Sequence, residues 1–284
     1  MNDAVTIFEV GPRDGLQSLG AQVHAETKVA LIDVLSQSGL TKIEATSFVS
    51  PRSVPQMADA TDVMAGITRV PGVSYTALTP NLRGMDGAVA ARCDEVAIFA
   101  SASEGFSRAN LNCSIEESFE RFVPVMARAK EIGVPVRGYL STVIACPFDG
   151  PTPPQIVAQW VAKLFEIGCY EVSLGDTIGA GTSRTLGALL DVLLDHCPPA
   201  KLAGHFHDTH GTALELVVTG LERGLRTFDA SVAGLGGCPY APGATGNVDT
   251  RLVIEILEAL GFSHGVDGDV LAQAERIARQ VLEQ

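Results

Sequence analysis

The turn after the first apolar segment reads Gly11-Pro12-Arg13-Asp14-Gly15-Leu16. An open doubly wound sheet would need a Gly-rich turn at this point, one that lets the backbone approach a dinucleotide pyrophosphate. A proline and two charged side chains do not serve that purpose. Working outward, the segment before the turn, Val5–Val10, is the first of eight short runs rich in β-branched and apolar residues. The others are Lys42–Phe48, Val73–Leu78, Glu95–Ala100, Val134–Ser141, Glu171–Gly175, Leu202–His207 and Thr227–Ala233. Helical stretches with apolar residues at three and four spacing lie between them, among them Ala25–Gln37, Ser114–Glu131, Pro154–Ile167 and Thr250–Leu260. Several end at a glycine, as at Gly39, Gly133, Gly168 and Gly261, where a helix C-terminus favours a residue free to turn left-handed. Eight alternating β/α units predict an α/β protein, a (β/α)8 TIM barrel forming a single domain over residues 1–284. A further helix over Asp269–Leu282 falls outside the eight-unit count. It is expected to pack across the barrel or against a second subunit.

A chain of 284 residues can bury roughly three quarters of the surface it exposes when unfolded, so it needs neither disulfide nor structural metal to fold. Acidic residues outnumber basic ones 33 to 20, for a net charge of −13. Nucleic acid and anionic membrane surfaces both call for a clustered positive field, so neither is expected as a partner. The six cysteines form no CxxC pair, and no secretory segment precedes Val5. They read as reduced thiols of a cytoplasmic protein.

In such barrels the chemistry is carried at the C-terminal ends of the strands and in the loops beyond them. Polar residues gather at those positions: Arg13, Asp14 and Gln17 after the first strand, Glu44 and Ser47 on the second, Asp176 and Thr177 after the sixth, and His205, His207 and Asp208 on and after the seventh. Side chains alternate along a strand, so His205 and His207 point to one face. Two such imidazoles are either a hydrogen-bonded pair lining a polar cavity or two ligands of one cation. Asp14 and Asn247, each at a strand end, add a carboxylate and an amide oxygen and favour the cation. The mixed N/O set suits Mg²⁺, Mn²⁺ or another octahedral divalent ion. Arg13 cannot lose its proton and would stabilise a developing oxyanion, or it forms a salt bridge to Glu44 or Asp176 at the barrel mouth. The stretch Gly234–Asn247 holds five glycines in fourteen positions, a composition that lets backbone close over a ligand. Cys238 within it is either a proton donor and acceptor or an incidental loop residue.

Taken together, Glu9 to Gln17, Ile43 to Pro51, Leu78 to Leu82, Asn112 to Ser118, Ser173 to Gly179, His205 to Thr209 and Gly234 to Asn247 resemble the hydroxymethylglutaryl-CoA lyases. These belong to the metal-dependent barrel lyases, a superfamily that also includes relatives of isopropylmalate synthase. The resemblance runs nearly end to end, and the loop around Cys238 is the lyases' own signature. It argues against a Claisen-type synthase of the same superfamily. It implies retro-Claisen cleavage of a branched 3-hydroxyglutaryl thioester to acetyl-CoA and acetoacetate, as in leucine breakdown, by a homodimer with a divalent cation and no organic cofactor. Asp14, His205, His207 and Asn247 would hold the cation. Arg13, Cys238, His205, Asp176 and Glu44 would carry or orient the catalytic groups, with Arg13, Gln17, Ser47, Arg137 and Thr177 as substrate contacts. The chain departs from the family pattern at Ser18-Leu19-Gly20, where Asn-Glu-Lys is usual, and at His210, Thr212 and Arg251. The first of these removes a cation near the expected thioester entrance, and together they leave open a paralogue that cleaves a longer branched 3-hydroxyglutaryl-CoA or a CoA-free hydroxy acid.

Overall fold

Strand β1 (Thr6–Glu9) is flanked by β2 (Lys42–Ser47) on one side and β10 (Thr227–Ala230) on the other. The first and last barrel strands therefore meet, and the sheet has no free edge. Between them run β3 (Ser74–Leu78), β4 (Glu95–Ser101), β5 (Val136–Ser141), β8 (Val172–Asp176) and β9 (Leu202–Phe206), giving the closed parallel order β1-β10-β9-β8-β5-β4-β3-β2. Two short strands, β6 (Ala145–Cys146) and β7 (Gly150–Pro151), form a separate antiparallel hairpin after β5. The computed structural model describes residues 4–237 and 246–283.

The outer ring consists of α1 (Ala25–Ser36), α2 (Ala60–Gly66), α3 (Leu82–Ala90), α4 (Glu104–Leu111), α5 (Ile115–Ile132), α6 (Pro154–Glu166), α7 (Ser183–Leu194), α8 (Ala213–Glu222), α9 (Thr250–Ala259) and α10 (Gly268–Leu282). Helices cover one face of each barrel strand and barrel side chains fill the other, so the strands read as almost continuously buried. Among the described residues, no helix is long and apolar enough to cross a membrane.

The expected strands and helices form with small shifts at their ends, each with a local cause. Ser114 is the N-cap of α5 rather than its first residue: its hydroxyl accepts from Glu117 N, while the Glu117 carboxylate accepts from Ser114 N. Strand β5 starts two residues late because Val134 N is spent on Ala129 O at the end of α5 and Pro135 has no N–H to give. Strand β9 stops at Phe206, and His207 leaves the ladder to pair with Asn247. Strand β10 stops at Ala230, with Ser231 bridging to Asp249.

The terminal helix packs on its own chain. Leu271, Ala274, Ala278 and Val281 form the buried stripe of α10, which lies against α1 and the turn Val232–Gly234. Arg251 at the start of α9 fastens it, donating from Nε to Glu275 Oε1 (2.5 Å) and from Nη2 to Gly268 O (2.9 Å).

Candidate active site

The end of β1 is wound into a π-helical turn, Gly11–Gly15, in which Arg13, Asp14 and Gly15 all donate their N–H to Val10 O. This winding carries Arg13 and Asp14 over the barrel mouth. Glu9, fully buried beneath the turn, holds it in place by accepting from Gly11 N (2.8 Å), Val232 N (2.9 Å) and Thr250 Oγ1 (2.7 Å). One carboxylate thus fastens the first loop to the segment entering the eighth. Burial, only partly offset by these hydrogen bonds, raises its pKa to about 7.

Arg13 points inward. Its Nε and Nη2 each lie 2.6 Å from Glu44 Oε2, Nη1 donates to Asp14 Oδ1, and the guanidinium stands 5.4 Å from the centre of the Tyr139 ring. Of the two carboxylates expected as its holder, Glu44 is the partner. Asp176 instead accepts from Ala180 N (3.1 Å) and Gly181 N (2.8 Å), bracing the loop after β8.

His205 and His207 project from the end of β9 on the same side, as alternation requires. Their Nε2 atoms are 3.3 Å apart, and His205 Nε2 is 3.8 Å from Asp14 Oδ2. One ligand atom each from Asp14, His205 and His207 fall within 4.8 Å of one another. Asn247 joins them through Nδ2, 2.9 Å from Asp14 Oδ2, and a half-turn of its amide presents Oδ1 at the same place. Burial alone would raise the Asp14 carboxyl, but Arg13, the two imidazoles and the Asn247 amide hold it well below the usual carboxylate range. Burial and the neighbouring His205 push His207 down to about 4. Burial also opposes charge on His205, yet its hydrogen bond to Asp229 and the charges of Asp229 and Asp14 raise its pKa. Two nearly buried ring nitrogens facing each other beside an ionised carboxylate and an amide are a donor set that a hard divalent cation satisfies.

A cavity of about 730 Å³ opens from this cluster. Arg13, Gln17, Tyr139, Thr177 and His205 contribute to its walls. Glu44 Oε1, Gln17 Oε1 and Tyr139 OH are buried without a hydrogen-bond partner among the described residues. Buried polar atoms of this kind are rare unless something binds to them.

The other expected contacts are placed differently. Ser47 is fully buried, its hydroxyl donates to Leu78 O (3.4 Å), and it does not contribute to the cavity wall. Arg137, expected among the substrate contacts, lies beneath the site inside the barrel. Its fork grips Asp229 (2.7 and 3.1 Å) and its Nε donates to Glu171 Oε2 (2.7 Å), so no donor reaches the cavity. Thr177 does line the cavity, and its Oγ1 accepts from Thr142 N (2.8 Å). Cys238 lies outside the described residues.

Glu9, Tyr139 and Asp229 were not among the expected site residues. Asp229 was detectable in principle, because a carboxylate in the middle of a buried strand must find a cation or donors. Its partner on another strand is set by register, which the sequence does not display.

The HMGL-like family model matches residues 4–278. The chain is 53% identical over 279 residues to a hydroxymethylglutaryl-CoA lyase of Pseudomonas mevalonii, covering 98% of this chain and 93% of that protein. It is 52% identical over 271 residues to a 3-hydroxy-3-isohexenylglutaryl-CoA/hydroxy-methylglutaryl-CoA lyase of Pseudomonas aeruginosa, covering 95% of this chain and 90% of that one. The crystal structure of the HMG-CoA lyase from Brucella melitensis superimposes with a TM-score of 0.98 at 53% identity, over 99% of both chains. On these matches and on the barrel that carries the site, the chain belongs to the HMGL-like family and is a carbon–carbon lyase of the hydroxymethylglutaryl-CoA lyase kind.

Proposed function

We propose that the protein cleaves 3-hydroxy-3-methylglutaryl-CoA to acetyl-CoA and acetoacetate with Mg²⁺ or Mn²⁺ at Asp14, His205, His207 and Asn247. The observation that carries this reading is the position of the Arg13 guanidinium, fixed by Glu44 directly beside the Asp14–His205–His207 cluster. A bound divalent cation would draw charge from the substrate's tertiary hydroxyl and carboxylate oxygens and lower the pKa of that hydroxyl.

The chain's own groups account for the rest of the reaction. The hydroxyl proton passes to a base at the site, with His205 serving there as a ligand of the cation because its Nδ1 is taken by Asp229. As the C–O bond becomes a carbonyl, the C2–C3 bond breaks and its electron pair moves into the thioester. One fragment is the ketone of acetoacetate and the other is the enolate of acetyl-CoA. Arg13, a fixed positive charge in a low-dielectric setting, stabilises the developing oxyanion. Cys238 supplies the proton that completes the acetyl methyl group, a role supported by the loop signature around it. Glu44 acts through Arg13 by holding it. Gln17 and Thr177, at the cavity wall, are the proposed thioester contacts. The same reading has one catalytic domain over the whole chain, working as a homodimer in the cytoplasm.

The test is a panel of branched 3-hydroxyglutaryl-CoA thioesters, with methyl, ethyl and longer C3 substituents, assayed with and without added cation. The longer members are included because Leu78, Phe99 and Tyr139 give the cavity an apolar wall. Metal-dependent turnover of the methyl compound supports the assignment. Turnover of longer members alone moves it to another acyl group, and no turnover of any member rejects it.

A further inference from the structure

We propose that Asp229, clamped from below by Arg137, is the positioning residue that fixes His205 in its Nδ1–H tautomer and so aims the Nε2 lone pair at Asp14 and His207. The inference rests on the reading of that cluster as a metal site and concerns what prepares the site before any ion arrives.

The Asp229 carboxylate is fully enclosed, and its two oxygens face four polar partners. Oδ1 accepts from Arg137 Nη2 (2.7 Å), while Oδ2 accepts from Arg137 Nη1 (3.1 Å) and Ser173 Oγ (2.7 Å) and lies 3.0 Å from His205 Nδ1. A carboxylate gripped by a guanidinium fork is ionised and can only accept. Nδ1 of His205 must therefore carry a hydrogen, and in the neutral ring Nε2 is left bare. A carboxylate behind a metal-binding imidazole sets the ring's tautomer and angle and makes it a better donor.

Asp229 is itself held still. Arg137 is completely buried, its Nε donates to Glu171 Oε2 (2.7 Å), and its guanidinium stacks 4.2 Å from the centre of the Phe8 ring and 5.0 Å from that of Tyr139. The line Glu171–Arg137–Asp229–His205 thus runs from β5 and the start of β8 through β10 to the site on β9. Burying three charges is costly, and a purely structural barrel interior is served as well by packed apolar side chains. A preset imidazole gives the ions a function that apolar packing cannot supply. His207 offers the contrast: its Nδ1 is buried with no partner among the described residues, so only one of the two imidazoles is backed by a carboxylate.

The experiment uses full-length protein with ¹⁵N-labelled histidine, free of metal, at a pH that leaves the rings neutral. Long-range ¹H–¹⁵N correlations report the tautomer, with the His205 signals assigned by their loss in His205→Gln. The unsubstituted protein is expected to show Nδ1–H at His205. Asp229→Asn is expected to lose that single tautomer and to weaken Mn²⁺ binding, measured by titration calorimetry, about 10- to 100-fold. Arg137→Lys, which keeps the charge but loses the fork, is expected to fall between the two. An Nε2–H ring at His205 in the unsubstituted protein overturns the proposal, and this readout stands even if Asp229→Asn does not fold. Unchanged tautomer and unchanged Mn²⁺ affinity in a folded Asp229→Asn protein overturn it while leaving the metal site intact. Absence of Mn²⁺ binding in the unsubstituted protein overturns the metal-site reading and this proposal together. A merely structural role for Asp229 would move thermal stability without moving the tautomer.

Discussion

Arg13 and Glu44 meet side-on, with Nε and Nη2 of the guanidinium both 2.6 Å from a single carboxylate oxygen, Oε2. The other oxygen, Oε1, is buried without a partner among the described residues. Arg13 is therefore fixed along one edge, leaving Nη1 for Asp14 and for substrate. Replacing Arg13 with Gln removes the fixed charge and is expected to lower kcat by on the order of 10³-fold. Glu44→Gln leaves the charge but loosens its placement, and a loss of about 10²-fold is expected, mainly in kcat. Steady-state rates of acetoacetate release measure both. A Glu44→Gln enzyme with unchanged kcat would remove Glu44 from the account.

Metal removal is the second prediction. Asp14 and the two imidazoles hold their ligand atoms within 4.8 Å of one another, so a chelator is expected to abolish turnover and added Mg²⁺ or Mn²⁺ to restore it. Asp14→Asn keeps the shape but removes the one negative charge of the set. Its Mn²⁺ dissociation constant, followed by calorimetry, is expected to rise at least about tenfold.

The third prediction concerns stability against pH. The Glu9 pKa moves from 4.5 to about 7 on burial. The folded state therefore binds this proton more tightly than the unfolded chain does. The contribution is complete below about pH 4.5 and is lost as pH rises through 7. The span of the loss is about 3 kcal/mol. In Glu9→Gln, which keeps an acceptor for Gly11 N and Val232 N, this part of the pH dependence should vanish. Urea unfolding at intervals across that window tests it, and parallel curves for the two proteins would contradict it.

The fourth prediction uses the close approach of two backbone segments flanking residues 238–245. A Cβ added at Gly246 would lie 2.2 Å from the carbonyl carbon of Gly236, which itself sits at φ +127°. Backbone cannot yield as a flexible side chain would. Gly246→Ala is expected to displace the adjacent Asn247 and lower kcat/KM about 10²-fold, with a small change in melting temperature. Wild-type activity in this variant would show that the approach is not needed.

Much of this was legible in the chain before its structure. The proline and two charges after the first strand disfavoured a dinucleotide turn, and the spacing of His205 and His207 put both imidazoles on one face. Arg13 and Asp14 join them from just beyond the first strand, whereas Asn247, expected at a strand end, comes from well beyond β10 and meets His207 and Asp14 from there. What could not be read was side-chain direction inside the barrel. Arg137 sits on a strand whose upper end lines the cavity, yet its register with β8 sets it beside Glu171 and its side chain reaches across the barrel interior to Asp229 on β10. Asp176 closes β8 and accepts from the backbone amides of the loop after it, whereas Glu44 lies inside β2 and meets Arg13 because the turn after β1 carries that side chain to it.

The most direct test of the central claim is product stoichiometry. Purified protein with Mn²⁺ and 3-hydroxy-3-methylglutaryl-CoA is followed by simultaneous quantification of acetyl-CoA and acetoacetate, with a chelated control and Arg13→Gln alongside. The account predicts the two products in equal amounts from the intact enzyme and neither above background in the controls. Free CoA without acetoacetate, or equal product formation in the chelated control, would contradict it.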